Sequence, residues 1–232
     1  MLESKRGRVM PEYWPKRRFT RYPIVLPLLH RGKGPALASA GAGWTCDLSG
    51  GGARVRLAER LRPQDSLHLR FQTDVGSIEG DAQVVWIGAP DPQGGGVQHG
   101  VAFTNLPPDQ LLPLRGVLTS QKPWWQPRNR LPVDVLVTCQ FQRRPGPAFQ
   151  GRTVNISRGG LMLVLPQVLS QGTALDVTLQ TPAGPLTAAG TIVWADPRGR
   201  QTSEKLIRHG LSFTAATWST SLALARFLAN RR

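Results

Sequence analysis

Several protein classes are excluded by what this chain lacks. Its 232 residues include only two cysteines, Cys46 and Cys139. They form no disulfide framework, and no C-x-x-C pair exists to hold zinc. The four histidines (His30, His68, His99 and His209) are scattered, without an H-E-x-x-H pattern. No metal-ligand set emerges. No apolar run reaches 18 residues, so no membrane span is expected. The N-terminal stretch MLESKRGRVMPEYWPKRR is polar and basic and lacks a signal peptide's apolar core, which predicts a cytoplasmic protein. Acidic residues are scarce: 14, against 29 Lys and Arg, for a net charge of +15. No close carboxylate pair or nucleophile–base pair stands out, so the expectation is a non-enzyme without cofactor or metal. The positive balance points to an anionic partner. Aromatics are 7% of the chain, and no segment shows a row of stacking residues for single strands, which disfavours nucleic acid.

An internal repeat is present instead. RYPIVLPLL begins at Arg21 and RLPVDVLV at Arg130; DLSGGG begins at Asp47 and NISRGG at Asn155. Val-Val-Trp86 is matched by Ile-Val-Trp194, and HGVAF at His99 by HGLSF at His209. Four landmarks in one order, offset by 108–110 residues, indicate two copies of one domain, 1–120 and 121–232. Apolar and polar residues alternate in short runs divided by Gly, Pro, Asp and Ser. Strands are expected near 21–29, 43–47, 52–57, 66–71, 77–87 and 97–103, then 130–141, 150–155, 160–165, 174–180, 186–194 and 207–213. The predicted fold is all-β: two tandem six-stranded antiparallel β-barrels, each followed by a short C-terminal helix. The helices fall near 108–119, where Pro113 threatens an interruption, and 217–230, with Trp218, Leu222, Ala225 and Leu228 on one face. Copy one carries 15 basic and 10 acidic residues, net +5; copy two carries 14 and 4, net +10, making copy two the more basic surface.

Two constellations in copy one carry chemistry. KRRFTR places Arg17, Arg18 and Arg21 where a basic tail enters the first strand. A guanidinium can fork onto a phosphate or a guanine edge, or stack on a base. In DLSGGG, Asp47 can accept from guanine N–H groups, Ser49 can cap the turn or bond a ligand, and Gly52 permits a positive φ and close approach to a flat ring. Read alone, the first is a solvated basic tail and the second a glycine-rich hairpin. The segment is no phosphate P-loop, since no Lys-Ser/Thr follows.

Together, R-x-x-x-R and [D/N]-x-S-x-x-G about 25 residues later resemble the PilZ domain family, in both copies and over nearly the whole chain. The resemblance implies a six-stranded barrel that binds the bacterial second messenger cyclic di-GMP. It implies that Arg17 and Arg21, with Arg18 as a further contact, clasp guanines and phosphates, while Asp47, Ser49 and Gly52 hold a base against the barrel. Copy two departs from the pattern. Asn155, Ser157 and Gly160 match the second motif and Arg130 the second arginine, but Gln126 replaces the first, and Arg128 lies two residues out of register. These residues form at most a weaker second site, so copy two reads as an output or dimerisation module.

The leading expectation is a cyclic di-GMP receptor that signals by rearranging its N-terminal arm and second domain to engage a downstream protein. Family analogy places the output in motility, surface attachment (biofilm) or polysaccharide production. The alternatives are a ligand-free PilZ-like adaptor and a nucleic-acid-binding double barrel. Homodimerisation through the terminal helix or copy two stays open. Among single residues, Trp86 and Trp194 are expected in the barrel cores, Trp124 and Trp125 between the domains, His99 and His209 in structural roles, and Cys46 as a buried thiol.

Overall fold

The computed structural model describes residues 18–33, 40–90, 95–120, 130–143, 146–196 and 206–231. In copy one the strands are β1 (Pro27–Gly32), β2 (Ala40–Ser49), β3 (Gly52–Leu57), β4 (Ser66–Gln72), β5 (Ser77–Pro90) and β6 (Val97–Asn105). They close into an antiparallel barrel in the order β1-β2-β3-β6-β5-β4, and helix α1 (Pro108–Thr119) follows. Copy two holds β7 (Leu131–Pro132), β8 (Leu136–Phe141), β9 (Phe149–Ser157), β10 (Gly160–Leu165), β11 (Ala174–Thr181), β12 (Gly184–Asp196), β13 (Ile207–Ala215) and helix α2 (Trp218–Ala229). Its ring runs β8-β9-β10-β13-β12-β11, closed by the β9–β10 pairing, with β7 added on β9. The two expected barrels and their trailing helices are therefore present.

Strict alternation builds each wall. In β3, Ala53, Val55 and Leu57 are buried while Arg54 and Arg56 face outward; in β10, Leu161, Leu163 and Leu165 are buried under Met162 and Val164. Full closure leaves neither sheet a free edge.

The entry strands differ from expectation. The ladder of copy one starts at Pro27 rather than Arg21, and residues 21–26 run in with a single bridge, Tyr22 to Leu48. In copy two the expected strand 130–141 is split into β7 and β8. A threonine is the cause in both. Thr45 Oγ1 accepts from the Leu26 N–H at 2.7 Å and donates to the Ile24 carbonyl at 2.6 Å. Thr153 Oγ1 does the same with Val135 and Val133. Side-chain bonds thus replace regular ladder rungs beside a β-bulge.

Helix α1 continues through Pro113. This proline lies in the second turn, where its missing N–H forfeits one bond of a short, mostly exposed helix. Thr217 caps α2 by accepting from the Thr220 N–H at 3.2 Å. The face of α2 is rotated from the expected one: Leu224, Ala225, Leu228 and Ala229 are buried, whereas Trp218 and Leu222 are half-buried. That face serves both barrels. Leu224, Ala225 and Leu228 join the core of copy two with Ala42 and Trp44 from the outside of copy one. The Trp44 indole N–H donates to the Ser221 carbonyl at 3.0 Å, and the Trp218 ring leaves room at Gly96 (φ +82°) for nothing larger than hydrogen. No helix among the described residues is long and apolar enough to cross a membrane.

Trp86 and Trp194 are not core residues; they are 37% and 39% exposed. Each indole lies over a glycine of the adjoining strand, Gly100 or Gly210, where a Cβ would strike the ring. Register shifts at Val84/Trp86 and Ile192/Trp194 turn them outward.

Candidate functional site

The bulge in β2 determines what faces solvent. Thr45 pairs with Val55 and Asp47 with Arg54, leaving Cys46 without a rung of its own. Regular alternation would place Asp47 on the same side as Thr45, facing the core. The extra residue re-aims the carboxylate onto the outer wall. There Asp47 Oδ1 lies 3.3 Å from Arg21 Nη1 and Oδ2 lies 2.9 Å from Arg54 Nε. The arginine side chains stay 31% and 40% exposed, while that of Asp47 is 14% exposed. One carboxylate thus holds two partly exposed guanidiniums, a geometry suited to an anionic, planar ligand.

The strand registers extend this arrangement into a row. Trp86 opposes Gly100, Gly100 opposes Arg54, and Arg54 opposes Asp47. Arg54 was not singled out from the sequence. The outward alternation of GARVRL signals its exposure, but its partnership with Asp47 depends on the bulge. Cys46, expected to be a buried thiol, is half-buried at the bulge.

The other motif residues hold the turn. Ser49 is buried, and its hydroxyl donates to the Gly52 carbonyl at 3.0 Å, so it caps the hairpin. Gly52 has φ +156°, and a Cβ there would strike the Val101 carbonyl oxygen of β6. The close approach anticipated for a ligand ring is made by a neighbouring strand. Phe19 lies over Gly50 and Gly51, and the Arg18 guanidinium sits 5.6 Å from its ring centroid, a cation–π contact. Arg17 lies outside the described residues, as do Trp124, Trp125, Gln126 and Arg128.

Copy two repeats the scaffold with different chemistry. Ser157 donates to the Gly160 carbonyl at 3.1 Å, and a Cβ on Gly160 would strike the Leu211 carbonyl. The bulge recurs at Val154, and the row reads Trp194, Gly210, Met162, Asn155. Arg130 donates to Asn155 Oδ1 at 3.4 Å, and burial lowers the Arg130 pKa. Met162 and Val164 occupy the places of Arg54 and Arg56.

Three other titratable groups lie inside the barrels. His99 and His209 are fully buried. In each, Nδ1–H donates to a carbonyl two residues back (Val97 at 3.1 Å, Ile207 at 2.8 Å), while Nε2 accepts a loop N–H (Leu61 at 3.2 Å, Leu169 at 3.0 Å). This pins the neutral tautomer, and burial lowers both pKa values. Burial pushes the Cys139 thiol up to about 12. Among the described residues, no group of three or more His, Cys, Asp or Glu is placed to hold a metal ion. A cavity of about 1140 Å³ opens between α2, the β11–β12 hairpin and Glu59 of copy one, and no motif residue lines it.

Known proteins bear on this arrangement. The family model of the PilZ domain matches the chain twice, over residues 15–119 and 126–230. Three solved structures are similar. Bacillus subtilis inhibitor of motility (MotI/DgrA) has 14% identity, covers 88% of this chain and 94% of its own, and gives a TM-score of 0.37. Klebsiella pneumoniae MrkH has 13% identity, with 86% and 83% covered and a TM-score of 0.37. The PilZ domain of Escherichia coli YcgR, solved with c-di-GMP, has 22% identity, with 43% and 86% covered and a TM-score of 0.35. No curated protein sequence matches. The family model covers both copies, and the chain belongs to the PilZ domain family.

Proposed function

We propose that the chain is a receptor for cyclic di-GMP and that the ligand lies on the outer wall of copy one. The observation that carries this reading is Asp47, held between Arg21 and Arg54 on a bulged strand of a PilZ barrel. The ligand presents two guanines and two phosphodiesters. Arg21 and Arg54, with Arg17 and Arg18 on the entry segment, supply guanidinium forks for phosphate oxygens and guanine O6 and N7. Asp47 accepts from a guanine N–H edge, and Ser49 and Gly52 keep the turn low enough for the ring to approach.

Binding engages the arginines of the entry segment and signals through β2. Asp47 lies three residues from Trp44, whose indole grips α2 of copy two. The output is a changed surface for a downstream protein. The role is one of binding, without chemistry on the ligand. Copy two, with Met162 and Asn155 in the equivalent row, lacks the clamp and serves the output.

Calorimetric titration of cyclic di-GMP into the full chain tests this, beside Arg21→Ala and Asp47→Ala and with linear GMP as control. Saturable binding that either substitution weakens at least tenfold is expected. A folded wild-type protein that binds no cyclic di-GMP would overturn the reading.

A further inference from the structure

One large apolar side chain of the first motif takes no part in the clamp of Asp47, Arg21 and Arg54. Phe19 stands between Arg18 and Arg21 in KRRFTR and is 45% exposed, so the barrel core does not account for it. Its ring lies on the Gly50–Gly51 turn of the second motif. A Cβ on Gly50 would stand 3.1 Å from ring atom Cδ1, and one on Gly51 would stand 2.6 Å from Cδ2 and 2.9 Å from Cε2. One edge of the ring therefore covers each glycine, a contact that bare backbone alone allows. Neither glycine has a positive φ, so the turn conformation does not require them; the ring does. The rest of the segment is fastened beside it. The Tyr22 N–H donates to the Leu48 carbonyl and the Leu48 N–H to the Tyr22 carbonyl, both at 2.9 Å. Arg21 reaches Asp47 at 3.3 Å, and the Arg18 guanidinium sits 5.6 Å from the Phe19 ring centroid.

Copy two keeps the pairing and lacks the ring. Leu131 opposes Ile156 as Tyr22 opposes Leu48. With Arg130 aligned on Arg21, Arg128 takes the place of Phe19, and in the aligned turns DLSGGG and NISRGG an arginine, Arg158, takes that of Gly50. Around Gly159, the counterpart of Gly51, nothing among the described residues comes within 4 Å of a Cβ. The aromatic ring thus accompanies the wall whose carboxylate holds two guanidiniums, and the wall with Asn155 and Met162 has no aromatic at that position.

A short exposed segment loses backbone and side-chain freedom when it is laid on a wall. Contacts made within the protein ahead of binding spare the ligand that cost. Two hydrogen bonds and a partly exposed ion pair hold such a segment weakly. An aromatic face on bare backbone adds apolar contact at the point between the two arginines. We propose that Phe19 is a positioning residue of the cyclic di-GMP site: by lying on the Gly50–Gly51 turn it keeps Arg18 and Arg21 at the wall, so that the ligand meets arginines already in place. The inference rests on the receptor reading above and deepens it. Phe19 acts through its neighbours and not by touching the ligand.

The test joins calorimetric titration of cyclic di-GMP to amide hydrogen exchange at single-residue resolution and thermal melts. The proteins are full-length wild type, Phe19→Ala, Phe19→Tyr, Gly51→Ala and Gly159→Ala. Phe19→Ala should speed ligand-free exchange at Tyr22 and Leu48 and leave the β5–β6 ladder as protected as in the wild type. Its affinity should weaken about tenfold, the loss expected when the docked segment falls to roughly a tenth of the molecules. Phe19→Tyr keeps the ring and should restore both. Gly51→Ala leaves Phe19 in the chain but pushes its ring off the turn, and should reproduce both effects. Gly159→Ala adds the same methyl group where no described residue meets it, and should change neither. Full affinity in Phe19→Ala, beside a wild type that binds, would overturn the inference and leave the receptor reading intact. So would weakened affinity with unchanged exchange at Tyr22 and Leu48, because Phe19 would then touch the ligand itself. Faster exchange throughout barrel one, with a lowered melt and no rescue by tyrosine, would also overturn it, by making the ring a packing element. A folded wild type that binds no cyclic di-GMP would overturn both readings.

Discussion

The two barrels share a backbone plan and differ in what they show to solvent. Both have the bulge before the motif acid or amide, the threonine that pins the entry segment, the serine that caps the turn, the glycine under a neighbouring carbonyl, and the buried neutral histidine. On that common wall copy one presents Arg21, Asp47, Arg54 and Arg56, and copy two presents Arg130, Asn155, Met162 and Val164. Position 44 shows the same divergence. Trp44 is covered by α2, whereas its counterpart Arg152 stays exposed and pairs with Asp134 at 2.7 Å. Copy two carries the larger net charge, yet among the described residues it is the motif carboxylate of copy one that holds two guanidiniums. Local placement by strand register, and not total charge, decides which wall suits a phosphate.

The largest effect should come from exchanging the two walls. Asp47→Asn with Arg54→Met gives copy one the chemistry of copy two, and titration should show cyclic di-GMP affinity lowered about a hundredfold or more, at roughly 1.5–3 kcal/mol per charge-assisted contact. The reciprocal pair, Asn155→Asp with Met162→Arg, should add a weak second binding event. If copy one still binds tightly after the exchange, the difference between the walls is not functional.

The shared scaffold predicts equal costs. Gly52→Ala and Gly160→Ala each drive a methyl group into a strand carbonyl, and chemical denaturation should show a loss of about 1–3 kcal/mol for each. Tolerance of one but not the other would break the structural equivalence of the turns.

Position 44 should split the copies. Trp44→Phe removes the N–H bonded to Ser221 and leaves a gap where the second ring of the indole packed, costing about 1–3 kcal/mol by denaturation. Arg152→Ala, on an exposed ion pair, should leave the melting curve unchanged.

The smallest effect concerns acid. His99 and His209 have folded-state pKa values lowered by burial, so the unfolded chain binds more protons. Their contribution is full above the ordinary value of 6.5 and is lost as the pH falls through the lowered folded values. Copy one has an additional such group. His30 is lowered by burial, partly offset by Glu59 at 3.1 Å, and its counterpart in copy two is Cys139. Hydrogen exchange below pH 6.5 should therefore show copy one opening before copy two. His30→Cys should narrow the gap; equal opening in the wild type would remove His30 from the account.

The sequence alone determined the duplication, the barrel class, nearly every strand and the turn motifs. Alternation and Gly-rich breaks are local properties, and the offset between landmarks is independent of folding. It also identified His99 and His209 as structural, from their equivalent positions. What only the tertiary structure decided depends on register. A bulge of one residue turned Asp47 outward toward Arg54, and similar slips carried Trp86 and Trp194 from the expected core to the surface. Period-two reasoning cannot see a bulge, because every position after it changes face. Contacts between the copies were equally hidden. Nothing in Trp44 or Ser221 as residue types indicates that a helix of one barrel meets the wall of the other; that follows from packing an amphipathic helix against whichever apolar surface the folded chain leaves open.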